Sequence, residues 1–81
     1  MEKELYVIYL KGKTYRLKED YEGYYTDILR YEGKKFAIIT LNPNNAIQFK
    51  SKETCLTAVR QLLTECSNVD SITIKRFNNS L

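Results

Sequence analysis

No histidine occurs among the 81 residues, and that absence removes the commonest general base, the Ser-His and Cys-His nucleophile pairs and most zinc sites. Cysteine is nearly as scarce. Cys55 and Cys66 cannot close a structural zinc site by themselves, and their spacing within one expected helix puts the thiols on a shared face but about 16 Å apart along the axis. That separation is beyond disulfide reach, so both are read as small buried apolar side chains. Glycine is limited to Gly12, Gly23 and Gly33, all expected at turns, and neither a GxxxxGKS/T loop nor a GxGxxG fingerprint is present. There is no run of about 18 apolar residues, and the opening MEKELYVIYL lacks a small-residue cleavage site. The expectation is a cytoplasmic protein without membrane contact.

Five carboxylates, Glu19, Asp20, Glu22, Asp27 and Glu32, crowd residues 19–33. Acid-base catalysis would require burial to move a pKa toward neutrality, and nothing in their pattern predicts burial. DYEGYYTD also lacks the acidic and amide spacing of an EF-hand loop. No enzyme activity, metal or cofactor is therefore expected.

The chain is short enough to form one domain over residues 1–81, near the lower limit for a core that stands alone. Strand signals run along it. Residues 5–10, LYVIYL, are continuously apolar, which predicts a strand interior to the sheet. Lys11-Gly12-Lys13 supplies a turn, and residues 14–18 alternate around Tyr15 and Leu17, completing an expected hairpin. Residues 24–31 and 35–41, separated by Glu32-Gly33-Lys34, predict a second hairpin. Asn42-Pro43-Asn44-Asn45 is a turn, and residues 46–49 read as a short strand or extended lead-in.

Ser51 then stands at a helix N-cap with Glu53 in the first turn. Cys55, Val59, Leu62, Leu63 and Cys66, with Leu56 and Ala58 at the edges, recur at helical spacing over about four turns. Residues 71–77 alternate as a last strand, and residues 78–81 read as a frayed tail. The expected fold is α+β: an antiparallel sheet of four to five strands in β-β-β-β-(β)-α-β order, with one amphipathic helix on one face.

Charge is unevenly spread. The net formal charge is +3, yet residues 1–33 carry six basic and seven acidic groups whereas residues 34–81 carry seven and three. Such polarity steers encounters with a complementary partner. The acidic stretch also holds Tyr21, Tyr24, Tyr25 and Tyr31, and tyrosine offers large contact area with few rotatable bonds. Because Gly23 is read as a break in pairing, residues 19–33 are expected to project, with Tyr21, Glu22, Tyr24, Asp27 and Arg30 exposed as a partner-binding surface. Tyr25, Leu29 and Tyr31 share strand parity and are expected to anchor the arm inward. Tyr6, Tyr9 and Tyr15 are assigned to the core.

The words YVIYLKGKTYRLK, YYTDIL, AIQFKSKETCLTAV and SITIKRF together resemble small bacteriophage and prophage accessory proteins of Gram-positive bacteria. Tyr25, Thr26, Asp27, Phe49, Ser51, Lys52 and Glu53 occupy the matching positions. The resemblance implies a protein of the host cytoplasm that acts by binding, for example by inhibiting a host protein such as a defence factor. Two alternatives stand beside that reading. One is a nucleic-acid or nucleotide-binding protein using Lys13, Arg16, Lys18, Lys35 and Arg76, with affinity that falls steeply with salt. The other is a homo-oligomer formed through the open sheet face and an edge strand.

Overall fold

A computed structural model describes residues 4–14 and 17–77. Its elements are β1 (Leu5–Lys13), β2 (Asp20–Tyr31), β3 (Lys34–Thr40), a 3-10 turn (Pro43–Asn45), α1 (Lys52–Glu65) and β4 (Val69–Phe77). The strands form one antiparallel sheet in the order β3-β2-β1-β4, with α1 packed on one face. The α+β expectation holds with four strands. No helix among the described residues is long and apolar enough to cross a membrane.

β1 is interior, as its unbroken apolar run predicts, and its alternation sorts the side chains between two cores. Ile8 and Leu10 are fully buried with Cys55, Leu62 and Cys66 between sheet and helix. Val7 is buried on the opposite face with Ala46 and Phe77. Each such aliphatic side chain contributes roughly 1.5–3 kcal/mol by leaving water.

Two glycines are not at turns. Gly12 lies within β1 and Gly23 within β2, both buried, because each lets another backbone approach closely. A Cβ on Gly23 would stand 2.9 Å from both Ile39 Cδ1 and the Thr40 carbonyl oxygen. Only Gly33 serves a turn. Glu32 and Gly33 have φ of 52° and 74°, the paired left-handed conformation of a two-residue hairpin, and they join Tyr31 to its partner Lys34. Of the hairpin strand expected over residues 14–18, the described residues Thr14, Leu17 and Lys18 lie between β1 and β2 outside any strand, and Thr14 N donates to Glu19 O at 2.8 Å. Tyr15 and Arg16 fall outside the described residues, as do residues 78–81.

The sheet divides partway along. β1 pairs with β2 only from Tyr9↔Tyr24 to Lys13↔Asp20, while β2 continues to Tyr31 paired with β3 alone. A bulge between Tyr25 and Asp27 bends β2 at this point, as an extra residue on one strand does. Residues 46–49 fill the resulting gap. Ile47 N donates to Tyr25 O at 3.1 Å, and Tyr6 and Phe49 exchange backbone bonds of 2.9 and 2.8 Å. The optional fifth strand is thus a single Tyr6–Phe49 bridge.

The outer edge of β3 is not left open along its length. Lys35 forms a bridge with Cys66, and Asn68 joins three strands. Its Oδ1 accepts from Ala37 N at 3.3 Å, its Nδ2 donates to Tyr21 OH at 2.6 Å, and its carbonyl accepts from Lys13 N at 2.9 Å. Tyr21 OH donates in turn to Ala37 O at 3.2 Å. Gly12 makes room for this arrangement, since a Cβ there would overlap the Asn68 carbonyl oxygen and come within 2.7 Å of Tyr21 Cε1.

The helix begins where its cap predicts. Ser51 Oγ accepts from Thr54 N at 3.2 Å, and Cys66 closes the far end by donating its N–H to Leu62 O at 3.0 Å. The buried stripe is narrower than its sequence pattern suggests. Cys55 and Leu62 are buried and Ala58 and Val59 are half-buried, but Leu56 and Leu63 are exposed. Each follows a buried residue by one position, a turn of about 100° that carries it off the sheet.

Candidate functional site

The face of the sheet opposite α1 carries a row of side chains set by strand pairing. Tyr9 of β1 stands between Tyr24 of β2 and Thr73 of β4, and Lys11 stands between Glu22 and Ser71. The rings of Tyr9 and Tyr24 meet edge to face, 5.1 Å between centroids at 75°. Lys75 Nζ lies 4.2 Å from the Tyr9 centroid and 5.9 Å from that of Tyr24. Tyr9 OH donates to Glu22 Oε2. Both rings are half-buried, whereas Lys11, Glu22, Ser71, Thr73 and Lys75 are exposed. The two rings and the lysine hold one another in place, each such contact contributing about 0.5–1.5 kcal/mol.

Hydrogen bonds shift the protonation of Tyr9, Lys13 and Asp20 along this row. The Glu22 carboxylate beside its hydroxyl, then partial desolvation, hold the Tyr9 phenol above its ordinary pKa, so it is a neutral donor. At the end of the row Lys13 pairs with Asp20; the hydrogen bond between them raises the lysine and lowers the carboxyl. Burial raises both cysteine thiols, which keeps them protonated and unreactive. No cluster of three or more His, Cys, Asp and Glu side chains among the described residues could hold a metal ion. The chemistry offered by the open face is recognition by ring faces, a hydroxyl, ammonium groups and carboxylates.

The five residues expected to form one projecting surface are distributed over two faces. Glu22 and Tyr24 belong to the open face. Tyr24 is half-buried against Tyr9 and the Val7 cluster, contrary to the expectation of a largely exposed ring. Tyr21 is turned the other way, into the helix-side core, where Asn68 and Ala37 bind its hydroxyl. Asp27 is exposed at the bulge, its Oδ1 accepting from Ile28 N at 2.7 Å. Arg30 is exposed beyond it, across from Lys35.

The bulge also overturns the inward trio. Tyr25 is buried as expected, but the extra residue reverses parity, so Ile28 turns inward and Leu29 and Tyr31 are exposed. Strict alternation across Thr26 does not survive one inserted position.

The basic residues converge only in part: Lys13 and Lys18 line one pocket with Lys34. Lys35 pairs with Glu65, Arg76 lies 3.7 Å from Glu4, and Lys13 is held by Asp20. Lys18 is exposed in the β1–β2 connection, and Arg16 lies outside the described residues. Tyr9, Lys11 and Lys75 belong to the site although residues 5–10 read as core. Their signal was the odd-numbered alternation Val7, Tyr9, Lys11, Lys13, which becomes polar toward its end while Ile8 and Leu10 stay apolar.

Comparison with protein-family models, with curated proteins and with solved structures finds no match to this chain.

Proposed function

We propose that the chain is a non-enzymatic protein-binding module whose contact surface is the open sheet face around Tyr9, Tyr24, Glu22, Lys11 and Lys75. The observation that carries this reading is the Tyr9–Tyr24 pair, which is pre-arranged by Lys75 and Glu22 on the face opposite the helix. Aromatic side chains already fixed in one rotamer lose little entropy when a partner covers them. Charges of both signs beside the rings suit a protein surface of mixed charge. Inhibition of a host protein is the form of this activity that the phage-protein resemblance implies.

A nucleic-acid reading has less support, because three of its five cations are matched by carboxylates. Binding surfaces concentrate their energy in a few aromatic residues. Removing the Tyr9 ring is therefore expected to weaken partner binding by about 2 kcal/mol or roughly 30-fold.

A photo-crosslinking amino acid at Lys11, exposed on the open face of an interior strand, tests the assignment, with the exposed helix position Thr64 as control. The expected result is a crosslinked protein partner from position 11 that is lost in Tyr9→Ala. Equal crosslinking from position 64, or salt-sensitive capture of labelled oligonucleotides in place of a protein, would overturn it.

A further inference from the structure

β4 is an edge strand of nine residues without proline, and no strand among the described residues pairs with the backbone donors and acceptors of its outer side. The helix flank above this edge carries two exposed leucines beside Arg60. α1 runs alongside β1, since Phe49, just before its start, is bridged to Tyr6, while Asn68, just past its end, bonds Lys13. Its Glu65 flank faces β3 through Lys35. The opposite flank, which carries Leu56 and Leu63 seven residues apart, therefore overhangs β4. These leucines are 43% and 54% exposed, and below them Ile72 and Ile74 of β4 are half-buried on the helix side.

An unpaired strand edge and an exposed leucine pair thus lie on one side of the molecule. The strand sequence is also complementary to itself in antiparallel register. Pairing two copies about Thr73 sets Ile72 against Ile74 and Ser71 against Lys75, with Thr73 facing Thr73. Asp70 at one end then lies beside the Lys75-Arg76 end of the other copy, and no like charges face each other along the strand.

We infer that β4 is a homodimer interface, in which two copies pair antiparallel about Thr73 to make a continuous eight-stranded sheet and Leu56 of each copy packs against Leu63 of the other. The register is isologous, so the contact closes at two copies. Both open faces lie on the same side of the joined sheet. The dimer places two copies of the Tyr9–Tyr24 surface side by side without covering either.

Light scattering during size exclusion, from about 5 to 500 μM and spanning typical dissociation constants, gives the first measurement. The expected mass is twice that of the chain at the upper end, falling toward the monomer on dilution. Leu56→Glu with Leu63→Glu changes side chains that are already exposed, so it leaves the circular dichroism spectrum intact while making the protein monomeric throughout. Thr73→Cys tests the register independently, because facing residues in an antiparallel pair are about 4.5–5.5 Å apart at Cα, within disulfide reach. Mild oxidation should convert this variant to a covalent dimer, while the wild type, whose cysteines are buried, stays uncrosslinked. A wild-type monomer at every concentration would overturn the inference. So would a dimer that survives the double glutamate variant, or one in which Thr73→Cys does not crosslink.

Discussion

Gly12→Ala is the sharpest test of how the sheet is closed. The new methyl group would overlap the Asn68 carbonyl oxygen and stand 2.7 Å from Tyr21 Cε1, and the first of these is backbone that cannot rotate away. Forcing a methyl group into a filled space costs about 1–3 kcal/mol. Displacing Asn68 also weakens its bond from Lys13 N, about 1 kcal/mol, so the expected loss is about 3 kcal/mol.

A chain of this size has about 4–12 kcal/mol of stability in total. At roughly 4–8 °C per kcal/mol, the melting temperature should fall by about 12–24 °C. Urea denaturation of the variant beside Gly33→Ala supplies the control. Gly33 has a left-handed φ of 74° but no atom within 4 Å of its added Cβ, so that variant pays only the backbone term, about 1 kcal/mol. If Gly12→Ala unfolds within about 0.5 kcal/mol of the wild type, or is more stable than Gly33→Ala, then Asn68 does not close the sheet as described.

Tyr21→Phe should cost about 1–2 kcal/mol by leaving Asn68 Nδ2 and Ala37 O without their shared hydroxyl, and a double-mutant cycle with Asn68→Ala should show that the two losses are not additive. Burial raises the Tyr21 phenol above its ordinary pKa; its contribution is complete below the unfolded value near 10 and is lost as pH rises through the folded value. Chemical denaturation between pH 9 and 12 should therefore show a shallower alkaline decline in Tyr21→Phe. Lys75→Glu removes the cation above the Tyr9 ring from an exposed position, so it should change stability by no more than about 1 kcal/mol. It should nevertheless abolish the position-11 crosslink; a full-yield crosslink would remove the open face from the binding reading.

Much of the architecture is legible in the residues, and the failures share a cause. Ser51, Glu53 and the apolar spacing after them locate the helix because capping and amphipathicity are local. The unbroken run at residues 5–10 marks an interior strand because only a strand covered on both faces tolerates it. Gly12 and Gly23 were misleading because the same residue serves a turn and a close approach of two backbones, and the approaching partners, Asn68 and Thr40, are distant in sequence. Asn68 lies just past the helix, and its bonds to Tyr21 and Ala37 leave no local pattern. The same holds for the site. Tyrosine and carboxylate enrichment led to Glu22 and Tyr24, but the bulge at Thr26 and the inward turn of Tyr21 depend on strands that pair across the whole chain.

The closure by Asn68 also bears on how long the folded molecule lasts. Its bonds reach back 47 residues to Tyr21 and 31 to Ala37, so they form only after both hairpin strands and the helix have been brought together. Contacts that close large loops at the end of assembly are absent from the transition state. Weakening them speeds unfolding and leaves the refolding rate nearly unchanged. Asn68 is then a latch on lifetime: in Asn68→Ala the unfolding limb of a denaturant chevron should rise while the refolding limb stays in place, and survival against a protease would shorten in step.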